Sequence, residues 1–351
     1  MIEDDLPEAA RHWRDRLDFP MSFARSGEPF RRWRDKTREL VRATLEIGTL
    51  SSATAEIMSE ATSENGVSQR LRLRLADGET TEAFLLTPAG RGPFPAVLLF
   101  HDHGSEFRLG KEKLIEPWDD FDAAALHRDW SARFYGGRSL GAELVRRGYC
   151  VMCADAIGWG SRQGNGYASQ QALAANLMQV GTSLAAVVAR EDVQAAAYLM
   201  AHPQVDASRV AAAGFSFGGF RAWQTAALVE GIAATVCANW MSTLRALLVP
   251  GNNILRGQSA FYMLHPALAG QLDFPDFASL IAPRPALFQA GSKDRHFPEA
   301  GVRQAFATLE AAWAAAGQRD GLAMHVSDWG HVFDAAQQDA AFSWLDSLLR
   351  P

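Results

Sequence analysis

The chain has 351 residues, 48% hydrophobic and 21% charged, with a net charge of -6, which is ample for one sizeable catalytic core. That acidic balance argues against nucleic acid or an anionic membrane as a partner. No apolar run approaches bilayer length and the acidic start Met1-Ile2-Glu3-Asp4-Asp5 is unlike a secretory signal, so a cytoplasmic location is expected.

From Pro7 to about Leu45 apolar positions recur at helical spacing among many arginines, interrupted at Phe19-Pro20 and Gly27-Glu28-Pro29. Two or three helices are predicted, forming an extension over residues 1–60 that packs on a body spanning 61–351, or on a second subunit of a homo-oligomer. Acidic residues are interleaved with the arginines, which reads as a solvated helix face and not as a nucleic-acid arm. Gln69 to Leu75 and Thr80 to Thr87 alternate polar and apolar residues around Ala76-Asp77-Gly78-Glu79, the pattern of an antiparallel hairpin opening a sheet. Strands near residues 95, 150, 210, 234, 286 and 324 follow, separated by helical stretches such as Leu184 to Met200, Phe220 to Val229 and Gly301 to Ala316. Such alternation predicts an α/β protein with a mostly parallel central sheet and helices on both faces.

The strand Ala96 to Phe100 leads into His101-Asp102-His103-Gly104-Ser105. Its H-D-H triplet lacks the spaced cysteine or acidic partners of zinc and iron sites, so no metal or other cofactor is expected. Lys111 and Lys113, just beyond, read as flexible surface lysines. Cys150 and Cys153 lie on a buried strand where odd spacing puts them on opposite faces, and Cys237 reads as a small core residue.

The most informative stretch is Val210 to Phe220, in which a small apolar run enters Gly214-Phe215-Ser216-Phe217-Gly218 and a helical sequence follows. A sharp strand-to-helix turn would force Ser216 into a strained conformation and present its hydroxyl, and only small residues two positions away allow so close an approach. The N–H of Phe217, at the start of the helix, would be free to stabilise an oxyanion. A serine hydroxyl needs a base held by a third group. Asp294 follows the apolar run Pro285 to Gln289, and His331 follows the strand Ala323 to Val326, each in the loop beyond its strand. The order Ser216, Asp294, His331 is that of an α/β-hydrolase. Asp328 is a rival acid but stands three residues from His331, and His325 reads as packing or as a strand-end side chain. The second oxyanion donor is expected from the backbone of His103.

Two long connections, Glu106 to Leu140 and Trp240 to Phe274, could roof the site with aromatic residues, or those aromatics could be local core. Trp240, Tyr262 and Trp118 are the candidate substrate contacts.

Several further segments, in register, carry a resemblance. They are the H-D-H-G loop at His101, Arg147-Gly148-Tyr149 leading to Asp155-Ala156-Ile157-Gly158-Trp159-Gly160, His202-Pro203-Gln204-Val205-Asp206, Ile281-Ala282-Pro283-Arg284-Pro285 and Gly330-His331. From about residue 80 to the end the chain resembles the dienelactone hydrolase and acetyl xylan esterase-like branch of the α/β-hydrolase superfamily. The resemblance implies Ser216 as nucleophile, His331 as general base and acid, Asp294 as orienting acid, and Phe217 with His103 as oxyanion donors. It departs from the family at Asp102, where a small residue is usual, and it marks Asp155 as structural. The expected activity is hydrolysis of a carboxylic ester of a small, short-acyl substrate. A lactone, amide, peptide or C–C bond remains open on the same triad, and a non-catalytic binding protein of this fold is the reading from another class.

Overall fold

The computed structural model describes residues 6–49, 52–249 and 258–350, so the start Met1–Asp5 lies outside the described residues. Nine strands are present among them: β1 (Thr54–Ser63), β2 (Gly66–Arg74), β3 (Thr80–Pro88), β4 (Phe94–Phe100), β5 (Cys150–Ala154), β6 (Val205–Phe215), β7 (Ala234–Ala238), β8 (Ala286–Gly291) and β9 (Leu322–Ser327). They make one sheet in the order β1-β2-β3-β5-β4-β6-β7-β8-β9. β1, β2 and β3 run antiparallel and β3 joins β5 antiparallel, whereas every pairing from β5 to β9 is parallel.

The helices are α1 (Glu8–Asp15), α2 (Phe23–Ser26), α3 (Phe30–Thr44), α4 (Phe121–Phe134), α5 (Leu140–Arg146), α6 (Gly166–Gln179), α7 (Leu184–Ala201), α8 (Phe217–Leu228), α9 (Leu244–Leu247), α10 (Gln258–Met263), α11 (Phe274–Ala278), α12 (Glu299–Ala315) and α13 (Ala335–Leu349). The inner strands are apolar on both sides because both faces are covered. Ala96, Leu98 and Phe100 of β4 join a core with α3, α7, α8 and α12, while Val97 and Leu99 join a second core with α4, α5 and α13. Cys150 and Cys153 fall on these opposite faces, as their spacing predicts, and Cys237 is buried; all three are free thiols.

The hairpin of β2 and β3 matches the alternating pattern, with Arg74 opposite Thr80. β1 went unread in the sequence: nearly all of its residues are exposed, so it carries no apolar face for a period-two pattern to mark. It begins at Thr54 and runs across the boundary expected near residue 60; the helical part of the extension ends with α3 at Thr44.

Three helices make up that part, and their arginines do not form a solvated face throughout. Arg38 is 6% exposed; its Nε donates to the Ala227 carbonyl at 3.0 Å and its Nη2 to that of Leu280 at 2.5 Å. Arg42 reaches the Leu228 carbonyl at 2.7 Å and Arg34 that of Ala282 at 3.0 Å. From the body, Arg284 donates to the carbonyls of Val229 and Ile232 at 2.9 and 2.7 Å and also to that of Ala226. The last turn of α8, whose carbonyls have no helical partner, is thus satisfied by guanidinium groups, which also suit the negative end of the helix dipole.

The other end of the extension meets α11. Asp276 there is 5% exposed, and burial, followed by the neighbouring Asp273 carboxylate, pushes its carboxyl up to about 7. The folded state therefore holds this proton more tightly than the unfolded chain, whose value is the ordinary 3.8. That stabilisation is complete below about pH 4 and is lost as the pH rises to about 7. Asp276→Asn should flatten the dependence of the urea midpoint on pH between 4 and 7; an unchanged pH slope in the variant would refute the assignment.

Candidate active site

β6 ends at Phe215 and α8 begins at Phe217, leaving Ser216 alone at the turn with φ 56° and ψ -126°. That left-handed backbone is costly for a residue with a Cβ and persists only where its surroundings enforce it. A Cβ on Gly214 would stand 2.3 Å from the backbone of Gly218, and a Cβ on Gly218 would stand 1.9 Å from the Phe100 carbonyl oxygen. The Ser216 N–H donates to the Ala238 carbonyl at 2.9 Å, pinning the turn to the end of β7.

His331 Nε2 lies 2.8 Å from Ser216 Oγ, and its Nδ1 lies 2.7 Å from Asp294 Oδ2. A carboxylate only accepts, so Nδ1 carries the proton and Nε2 is left to accept from the serine hydroxyl. Asp294 is 7% exposed, and its Oδ1 accepts the backbone N–H of His296 at 2.9 Å. The two loops are tied together: the N–H of Lys293 bonds the Trp329 carbonyl and that of Ser292 the Ser327 carbonyl. Asp328 points elsewhere, exposed and paired with Lys293 at 2.8 Å, and His325 is an exposed residue of the edge strand β9.

Asn239, just beyond β7, is a member of this cluster that the sequence did not reveal. Its Nδ2 donates to the Gly330 carbonyl at 2.9 Å and to Asp294 Oδ2 at 3.3 Å, and Gln337 Nε2 donates to its Oδ1 at 3.4 Å. It is buried with φ 51°, a conformation that asparagine tolerates better than most residues. The A-N-W tripeptide has no motif to announce this.

Phe217 is wholly buried, and its N–H opens α8 beside Ser216. The His103 ring packs among Trp159, Tyr262, Phe217 and the half-exposed Tyr167. Burial, with Lys113 adding to it, pushes the His103 pKa down to about 3, so this ring is neutral at physiological pH. Tyr167 on α6, stacked on His103 at 6.2 Å and edge-on to Phe107 at 4.9 Å, was not singled out in the sequence, because α6 buries little and shows no clear stripe.

Trp240 is 1% exposed and packs among Phe220, Phe274 and Phe297, and Tyr262 is 0% exposed with its hydroxyl on the Ile157 carbonyl. With no free surface, both are core behind the site and not substrate contacts. Trp118 packs on Phe84 and lines a separate cleft of about 360 Å³ with Leu86 and Thr87. Leu86 pairs with Val151 at the start of β5, so this cleft lies at the amino end of the parallel strands, opposite to Ser216. Lys111 and Lys113 are 1% and 0% exposed. Lys111 bonds Asp155 Oδ2 at 3.0 Å, and burial, which alone would lower its pKa, is outweighed by the carboxylates of Asp155 and Glu112. Asp155 also accepts from the Ser161 N–H and hydroxyl at 2.8 Å, a structural role that agrees with the sequence reading.

The sequence pattern of the dienelactone hydrolase family matches residues 133–341. YtaP of Bacillus subtilis (strain 168), described as a hydrolase, is 30% identical over 288 residues, which is 82% of this chain and 89% of that protein. The chain belongs to the dienelactone hydrolase family. Solved structures share the fold of this family member at low identity. A Bacteroides fragilis NCTC 9343 protein described as an acetyl xylan esterase superposes with a TM-score of 0.73 at 17% identity, covering 91% of this chain and 81% of that one. Acetyl xylan esterase 1 from Thermoanaerobacterium gives 0.58 at 17% identity over 98% and 99% of the two chains. A CE15 esterase from a marine bacterial metagenome gives 0.65 at 17% identity over 95% and 96%.

The elbow glycines yield a direct test. Gly218→Ala must displace β4 or α8, and overpacking of this kind typically costs about 1–3 kcal/mol or more. The variant should lose that stability in urea denaturation and fail to react with a fluorophosphonate; wild-type stability and labelling would contradict the packing described.

Proposed function

We propose that this hydrolase is a serine esterase that cleaves a carboxylic ester of a small substrate through an acyl-enzyme. The observation that carries the reading is the unbroken relay from Ser216 Oγ through the His331 ring to the buried Asp294. His331 Nε2 takes the Ser216 proton as the hydroxyl attacks the ester carbonyl, and Asp294 holds the ring in the required tautomer and stabilises the imidazolium that forms. The carbonyl oxygen, now an oxyanion, is received by backbone N–H groups of Phe217 and His103. The alcohol leaves with the proton returned by His331, and water repeats the sequence on the acyl group.

A short acyl group, acetyl above all, is favoured by the fold neighbours described as acetyl xylan esterases.

Hydrolysis of 4-nitrophenyl esters from acetate to octanoate tests the proposal. Activity should peak at acetate, and Ser216→Ala should lose several orders of magnitude in kcat while remaining folded; turnover retained in the variant would overturn the assignment. Asn239→Ala should lower kcat about tenfold without preventing fluorophosphonate labelling of Ser216, because it loosens Asp294 and Gly330 but leaves the relay intact; a kcat equal to that of the wild type would show that Asn239 does not position the acid.

A further inference from the structure

Lys113 has no part in the relay, yet it is the most completely buried lysine near the site. Its side chain is 0% exposed, lying 4.8 Å from the Trp130 ring and 5.6 Å from that of Trp159. Burying an ammonium group is costly unless its donors are satisfied. The Nζ donates to the carbonyl oxygens of Asp102 and His103, both at 3.1 Å, and lies 3.5 Å from Asp102 Oδ2. The Asp102 carboxylate is held in turn: Tyr135 and Trp130 donate to its Oδ1 at 2.5 and 3.1 Å.

Two consecutive carbonyls on one cation constrain what lies on the other side of the chain. In a planar trans peptide the C=O and the N–H point in opposite directions. The N–H groups of His103 and Gly104, which share peptide planes with those carbonyls, are therefore both turned away from Lys113. Successive N–H groups facing one way form an anion-binding concavity. The Asp102 carbonyl is fixed from a second direction by His101 Nδ1 at 2.9 Å, while His101 Nε2 accepts the Ala156 N–H at 3.0 Å. Gly104 has φ 31°, and a Cβ there would stand 2.2 Å from Trp130, so the loop is packed tightly against the same group that holds the lysine.

We infer that Lys113 is a positioning residue for the oxyanion hole: by holding the Asp102 and His103 carbonyls from behind, it aims the N–H groups of His103 and Gly104 at the charge that develops on the substrate oxygen. This rests on the esterase reading above and extends it to a residue that touches no substrate. Asp102 is the lysine's counter-ion, which accounts for an acid in a loop position where the resemblance calls for a small residue.

The test uses the full-length protein with Lys113→Met and, because the single variant leaves Asp102 buried without its partner, the double variant Asp102→Asn/Lys113→Met, which leaves no unpaired charge. Steady-state kinetics on whichever 4-nitrophenyl ester the wild type hydrolyses fastest would be combined with inhibition by phenylboronic acid, whose serine adduct places a hydroxyl where the oxyanion forms. The expected result, in whichever variant is folded by circular dichroism and thermal melting, is a kcat about 10²-fold lower with KM within about threefold of wild type, and a phenylboronic acid Ki raised by a comparable factor. A folded double variant with kcat and Ki within about threefold of wild type would overturn the inference, as would a rise in KM alone. A wild type that hydrolyses no ester and resists fluorophosphonate would overturn the esterase reading, and this inference with it; a labelled, active wild type beside an unaffected double variant would remove only the role of Lys113.

Discussion

The left-handed backbone at Ser216 is the constraint from which the rest of the site follows. A serine there is unfavourable by itself, so β6 and α8 must be held at a separation that only Gly214 and Gly218 allow, and β7 must supply the carbonyl of Ala238 to fix the turn. With that geometry imposed, the hydroxyl stands beyond the carboxyl ends of the parallel strands, the position to which the loops after β8 and β9 also lead. Asp294 and His331 need no long-range search to reach Ser216, because parallel neighbours in the sheet deliver their loops to the same edge.

The elements that could be read from the sequence are those whose local pattern has one physical meaning. The inner strands are apolar on both faces, the G-F-S-F-G turn requires small residues at fixed places, and the triad follows in the order that the fold imposes. What escaped notice lacks such a pattern. β1 has no buried face, and α6 has only Gln170 and Ala174 buried. Asn239 acts through tertiary hydrogen bonds to residues more than 50 positions away. Lys111 and Lys113 look like surface lysines in the sequence because lysine usually is at the surface; their burial depends on carboxylates in the loops after β4 and β5 that only the folded sheet brings near. The same holds for Arg38, which bonds a carbonyl at the end of a helix nearly 190 residues later.

Several buried ion pairs lie behind the site, in addition to the Asp294 carboxylate within it. Lys113 with Asp102 and Lys111 with Asp155 lie at the loop after β4, and Arg221 of α8 is bonded by two nitrogens to Asp192 of α7 at 2.9 and 2.7 Å. Arg221 also sits 5.4 Å from the Phe217 ring. Ion pairs in such positions add little net stability compared with apolar packing, but they tolerate only a narrow range of geometries. Their effect is to hold the backbone on either side of Ser216 stiffly.

Helix α8 has Phe217 at one end and the arginine-capped carbonyls of Ala226 to Leu228 at the other, a rod of 12 residues and about 18 Å. The amino-terminal extension therefore grips the far end of the element whose near end adjoins Ser216. In evolutionary terms the extension cannot drift freely as an ornament would: a lineage that shed it would expose the negative pole of α8 and would have to replace the two guanidinium groups of Arg38 and Arg42 before the hydrolase body could keep its register.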